Sequence, residues 1–541
     1  MQAEGPPTEA RGGNRGVLFV HGVGDQRKSD TLLDQGNPLF GWLWRWFRAF
    51  GSTVRVGRVE LSFAPVDVGP ADVPPWGRLE LPGRRWSMAE VWWAASDRPP
   101  DLATMLGWSF RHLRDIIAQL WRNVLQRVDR LLHEDLTEHP TQPSRWWVAI
   151  DLATCIGLLV LYPLLAVVGY ALLVPLLLVV QIPIDVVQQF VLLRVIRPLL
   201  TINAGEFRTM LDDELQAANI RRRLADAIDW LVDHEQCQDN VVIVAHSEGC
   251  VVSFGMLVDP EFKHQASHVR KLITLGAGLN KSWLLRPKLQ RLHGPLDGDT
   301  LWVDVWASFD PVPAGPLSPP PGVQIYAPTG EAARQLGGST TPISLQVTNT
   351  MNVLSDHGGY WANDEQVMVR IAAEIDAPDH AQSLFWAGDW NGAARQRRER
   401  VSVLALVRDV AVLGGLVTTL GAWLDLARRG VLPWTSLIDV QPPPAWLGTP
   451  IVLLEGLRTL LASILPPAAT LVQQILSLPA YVVSAALLIV CWWAVYSLFG
   501  WLIWNPWDQR ARDAAIREAA EAARQQAARA AAQAEIARAV E

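Results

Sequence analysis

The stretch NVVIVAHSEGC, Asn240 to Cys250, decides how the chain is read. Val241 to Val244 form a β-branched apolar run of the kind that makes a buried strand. Ala245-His246-Ser247-Glu248-Gly249 then reads as a sharp turn, and CVVSFGML as the start of a helix. Strand, tight turn and helix is the context in which a serine sits on a strained turn with its hydroxyl exposed. Close packing there requires small residues two positions to either side. Ala245 and Gly249 meet that need. The five-residue pattern alone arises by chance about once per thousand positions, so its strand and helix context carries the information.

Upstream, VLFV runs into His21-Gly22-Val23-Gly24, a second strand that ends in a glycine-rich turn. Acyl transfer develops negative charge on a carbonyl oxygen, which backbone N–H groups held in place can stabilise. Val23 or Gly24, together with Glu248, are the expected donors, and His21 and Gly22 support that turn. Downstream, a serine nucleophile needs a base and the base needs an orienting carboxylate. Asp310 lies in an FDPVP turn just past the strand-like run TLWVDVWAS, and His357 lies in LSDHGGYW, where two glycines permit a tight loop. Asp304, inside a strand, and Asp356, beside His357, rank below Asp310. His246 adjoins Ser247 on a tight turn whose neighbours cannot share one direction, so a structural role is expected for it.

The flanking chain has an α/β rhythm. Strands are expected in TVRVGRVELSF, WSMAEVWWA and KLITLGAG, an amphipathic helix over 101–135, and a polar helix over 206–235. This rhythm is interrupted from Leu152 to Ile184, where no charged residue occurs, and again over 459–507. A membrane crossing needs about 20 apolar residues, so the first block exceeds one crossing and the wider stretch 148–193 is expected to cross twice. The expected organisation is a flexible leader (1–15), an α/β domain in two parts (16–145 and 201–375) around a transmembrane helical hairpin (146–200), a basic linker (376–400), a C-terminal membrane region (401–507) and an exposed Ala/Arg/Glu-rich helix (508–541).

Half of the 541 residues are hydrophobic, 19% are charged and the net charge is −7, with no basic stripe that would suit nucleic acid. Cys155, Cys237, Cys250 and Cys491 show neither a C-x-x-C pair nor zinc spacing, so neither metal nor cofactor is expected. Basic residues near both apolar blocks place the α/β domain on the cytoplasmic side of a cell membrane.

Taken together, VLFVHGVG, IVAHSEG, the Asp of SFDPV and the His of SDHGGYW resemble the α/β-hydrolase superfamily, nearest its serine esterases and lipases. The resemblance covers residues 16–375. It implies a mostly parallel sheet flanked by helices, with Ser247, Asp310 and His357 as a catalytic triad. Ala245 stands where a first glycine is commoner. The expected function is a membrane-bound hydrolase of an acyl ester, with the lipid bilayer as partner and a lipid as possible substrate. A catalytically silent membrane scaffold or sensor is the alternative.

Overall fold

The computed structural model describes residues 14–22, 27–50, 60–62, 74–81, 84–93, 213–285, 294–349 and 356–379 as continuous runs. Scattered positions between 118 and 159 and between 383 and 525 are also described. The chain divides into two compact units, Met1–Ser402 with Arg512–Glu541, and Val403–Ala511. The first unit carries everything that follows.

Its frame is an eight-stranded sheet. The strands are β1 (Arg15–Val20), β2 (Glu60–Ser62), β3 (Trp76–Leu81), β4 (Arg84–Val91), β5 (Val241–His246), β6 (Val269–Leu275), β8 (Leu301–Ala307) and β10 (Ile343–Val347). Short β7 (Leu296–Gly298) and β9 (Tyr326–Pro328) pair separately. The order across the large sheet is β10-β8-β6-β5-β1-β4-β3-β2. From β10 to β4 every pairing is parallel, and β3 and β2 extend the edge antiparallel.

A parallel sheet covered on both faces should have strands that are apolar throughout, and β1 and β5 are. Val17 and Phe19 of β1, with Val242 and Val244 of β5, join one apolar cluster. Leu18, Val20, Val241, Ile243 and Ala245 join the other, as the two-residue period of a strand dictates. The first face is covered by α1 (Asn37–Phe50) and α7 (Val369–Asp376). The second is covered by α2 (Glu214–Glu235), α3 (Gly249–Leu257) and α5 (Leu279–Leu285). Short helices α4 (Lys263–Ser267) and α6 (Gly330–Gln335) complete the order.

Helix α2 begins where the Asp213 carboxylate accepts the Gln216 N–H at 3.1 Å, and it ends at Gln236 in the left-handed region. Its stripe Ile220, Leu224, Ala227, Ile228 and Leu231 is buried against the sheet. A buried Lys271–Glu374 ion pair ties β6 to α7, with Arg370 on the same carboxylate. Ile516 and Ala520, from the Ala/Arg/Glu-rich tail, are buried in the first cluster.

This architecture corrects the expectation drawn from the apolar blocks. Among the described residues no helix is long and apolar enough to cross a membrane. The described helix of sufficient length, α2 with 22 residues, carries Arg221, Arg222, Arg223, Asp226, Asp229 and Asp233. Each such charge at a bilayer centre costs about 2.5–3.5 kcal/mol, so this length serves the sheet and not a lipid core. The expected hairpin at 146–200 and membrane region at 401–507 lie almost wholly outside the described residues. The fold is therefore an α/β sheet-and-helix arrangement, in place of the expected hydrolase-like sheet with a transmembrane hairpin and C-terminal membrane helices. The bilayer partner, the cell-membrane location, the cytoplasm-facing orientation and the membrane-bound function rested on those spans and are withdrawn with them.

Candidate active site

In an open parallel sheet, functional groups gather in the loops at the carboxyl ends of the strands. Here β1 ends in His21-Gly22, β5 in Ser247, β6 in Gly276 and β8 in Asp310, while His357 follows β10. The structure brings Ser247, Asp310 and His357 together.

The turn after β5 is held in an unusual backbone conformation. Ser247 has φ of 58°, a left-handed value that costs a residue with a Cβ free energy, and the surroundings enforce it. The Ser247 N–H donates to the Leu275 carbonyl at 2.9 Å, and the Gly278 N–H donates to the Ser247 carbonyl at 3.1 Å. Close packing explains the neighbouring small residues. A Cβ on Gly249 would lie 2.5 Å from the carbonyl oxygens of Val20 and His21, and one on Gly22 would lie 2.5 Å from Ser247 Cβ. Ala245, fully buried, sits between Val20 of β1 and Thr274 of β6. Glu248 is buried at the start of α3.

A line of hydrogen bonds leads away from the serine. Ser247 Oγ lies 2.8 Å from His357 Nε2, and His357 Nδ1 lies 3.0 and 2.9 Å from the two carboxylate oxygens of Asp310. With Nδ1–H donating to Asp310, Nε2 is left as the acceptor of the serine hydroxyl. Asp310 Oδ1 also accepts the Val312 N–H at 2.8 Å, and Oδ2 accepts the Tyr360 hydroxyl at 2.7 Å. Burial pushes the Asp310 carboxyl up. The adjacent His357 imidazole, with the hydrogen bonds from His357, Val312 and Tyr360, outweighs this and holds it below the usual carboxylate range.

His246 packs its ring on that of His357, centroids 4.7 Å apart, and its Nε2–H donates to the His357 carbonyl at 3.0 Å. Burial, then the neighbouring His357, lower its pKa to about 3, so it stays neutral and holds the loop that bears His357. His21 donates from Nδ1 to the Gly22 carbonyl at 2.6 Å and stacks on Trp93 at 4.7 Å. Burial lowers its pKa to about 4. Val23 and Gly24 lie outside the described residues.

The two lesser carboxylates have other tasks. Asp304 accepts the Thr274 hydroxyl at 2.7 Å within the sheet, and burial pushes its pKa up to about 7. Asp356 accepts the Phe309 N–H at 2.7 Å, which ties the His357 loop to the residue before Asp310.

Three contributors escaped the sequence reading: Asp356 as that tie, Tyr360 and Gly276. The Tyr360 hydroxyl accepts the Ala307 N–H at 2.8 Å while donating to Asp310. Gly276 has φ of 59°, and a Cβ there would lie 2.8 Å from Asp310 Oδ2 and 3.1 Å from His357 Nδ1. Tyr360 stands three residues after His357, a spacing that could have drawn attention to it. Among the described residues no cluster of His, Cys, Asp and Glu could hold a metal ion.

No protein-family model, no curated protein and no solved structure matches the chain. With no matching family, the expected place among the serine esterases and lipases of the α/β-hydrolase superfamily is withdrawn. The chain has an α/β fold compatible with a hydrolase-like enzyme.

Proposed function

We propose that the protein is a serine hydrolase that cleaves a carboxylic ester through an acyl-enzyme on Ser247. His357 Nε2 takes the serine proton as Oγ attacks the acyl carbonyl, and Asp310 holds the imidazole in the required tautomer and stabilises its charged form. His357 then returns the proton to the leaving alkoxide. Water, activated by the same imidazole, releases the acid. The Glu248 N–H, with that of Val23 or Gly24, is assigned to the developing oxyanion.

The observation that carries this proposal is the unbroken series Ser247 Oγ, His357 Nε2, His357 Nδ1 and Asp310, with every separation at or below 3.0 Å. Its position at the carboxyl edge supports it further. A fluorophosphonate probe should label the wild-type protein at Ser247, and Ser247→Ala should lose labelling together with ester hydrolysis. Removing the serine of such a unit costs several orders of magnitude in rate, about 10⁶-fold in the best-studied case. Undiminished turnover by folded Ser247→Ala would overturn the assignment.

A further inference from the structure

The segment after β6 meets the candidate site at three points. Gly276 lies against Asp310, Tyr360 and His357. The Gly278 N–H holds the Ser247 carbonyl at 3.1 Å. The Asn280 amide donates to the carbonyls of Pro313 and Pro316 at 2.7 and 3.0 Å, and its oxygen accepts the Ser318 N–H at 2.9 Å. Lys281 comes next, followed by Ser282, whose hydroxyl donates to the Gly278 carbonyl at 3.0 Å. The main chain is thus fixed on both sides of Lys281, beside the nucleophile turn and the loop that bears Asp310.

Lys281 is half-buried and takes part in no hydrogen bond or ion pair among the described residues. Three other sheltered cations of this unit have carboxylate partners, Lys271 with Glu374, Arg78 with Glu235 and Arg221 with Asp259, and Arg270 donates to the carbonyls of Glu374 and Ile375. Burial lowers the pKa of Lys281, and the negative charge of Asp310 raises it. Asp310 does not serve as its direct partner, because its oxygens already accept from His357, Val312 and Tyr360. A partly desolvated ammonium without a counter-ion is costly unless something arrives to neutralise it.

Resting on the hydrolase assignment, we infer that Lys281 is a specificity residue that binds a carboxylate carried by the ester whose carbonyl Ser247 attacks. One ammonium balances one negative charge, which suits a carboxylate better than a doubly charged phosphate. Substrates would then be half-esters of dicarboxylic acids or related anionic esters.

The test compares p-nitrophenyl adipate, with its free carboxylate, against the same compound methylated at that carboxylate, using wild-type protein, Lys281→Gln and Lys281→Arg. A lost charge-assisted contact should lower the charged-to-methylated ratio of kcat/KM about tenfold to a hundredfold in Lys281→Gln, chiefly through KM. Lys281→Arg should restore most of that ratio. Because both esters are read on each variant, a general loss of folded protein cancels. An unchanged ratio in Lys281→Gln overturns the inference, as does a wild type that is labelled at Ser247 yet fails to prefer the charged ester. A wild type that hydrolyses neither ester and leaves Ser247 unlabelled by a fluorophosphonate overturns the hydrolase assignment itself, and the inference with it.

Discussion

Replacing Tyr360 by Phe removes one oxygen atom and two hydrogen bonds from the support of the candidate acid. The hydroxyl donates to Asp310 Oδ2 at 2.7 Å and accepts the Ala307 N–H at 2.8 Å, and the side chain is fully buried. A hydrogen bond to a charged group contributes about 1.5–3 kcal/mol, and a buried main-chain donor left without an acceptor costs about 1–3 kcal/mol. Asp310 keeps its bonds to His357 and Val312, so the lower half of that combined range applies, about 3 kcal/mol. This loss should be local. Amide exchange at Ala307, read by hydrogen–deuterium exchange on the peptide covering β8, should accelerate on the order of a hundredfold. Asp310 also loses one of the bonds that hold its pKa down. A carboxyl depressed in the folded state stabilises above its unfolded pKa, and this contribution disappears as pH falls through the folded pKa. Raising the folded value in Tyr360→Phe narrows that interval, so acid unfolding should begin at higher pH. Fluorophosphonate labelling of Ser247 should slow by about tenfold, far less than the roughly 10⁴-fold loss that accompanies removal of a triad carboxylate's charge. A Phe variant with wild-type exchange at Ala307, wild-type acid stability and wild-type labelling would refute the claim that this hydroxyl holds Asp310.

Gly276→Ala should slow Ser247 labelling by at least about tenfold, since the φ of 59° disfavours a side chain and the new Cβ would lie 2.8 Å from both Asp310 Oδ2 and Tyr360 Cε2. Labelling at the wild-type rate would show that Asp310 and His357 do not need the space. Glu90 is buried in β4, where it accepts the Ser29 and Leu32 N–H groups, and burial, opposed by those bonds, raises its pKa to about 7. A carboxyl raised in the folded state stabilises below its unfolded pKa, and that stabilisation is lost as pH rises through the folded value. Thermal stability should therefore decline between about pH 4.5 and about pH 7, by about 3 kcal/mol in total, and Glu90→Gln should flatten the decline. An identical slope in both proteins would exclude Glu90 as its source.

What was legible in the sequence was local. Val241 to Val244 read as a buried strand because both faces are covered, and Gly249 stands where the end of β1 passes within 2.5 Å of a would-be Cβ. KLITLGAG and TLWVDVWAS read as β6 and β8 for the same reason. Strand β3, WGRLEL, was missed, because Pro75 just before it and Pro82-Gly83 just after it give it the look of a loop. Helix α1 was missed as well, although Trp42, Trp46 and Phe47 are buried core residues. The expectation of membrane spans rested on hydropathy, which measures how long a run lacks charge and says nothing of what covers it.

The deeper reason some of the site stayed hidden lies in the sheet order. Between β5, which delivers Ser247, and β8, which delivers Asp310, lies the end of β6. The acid and the imidazole must approach the serine across that end, and they do so over Gly276, with Asp310 Oδ2, Tyr360 Cε2 and His357 Nδ1 all within 3.1 Å of a Cβ that is not there. Nothing within TLGAG distinguishes this glycine from Gly278, whose task is to donate its N–H to Ser247. Only the pairing of β6 with β5 on one side and β8 on the other assigns the two glycines their different roles, and that pairing joins residues tens of positions apart. Turn chemistry can be read from a few neighbouring letters, whereas the space through which an acid reaches its base belongs to the register of the sheet.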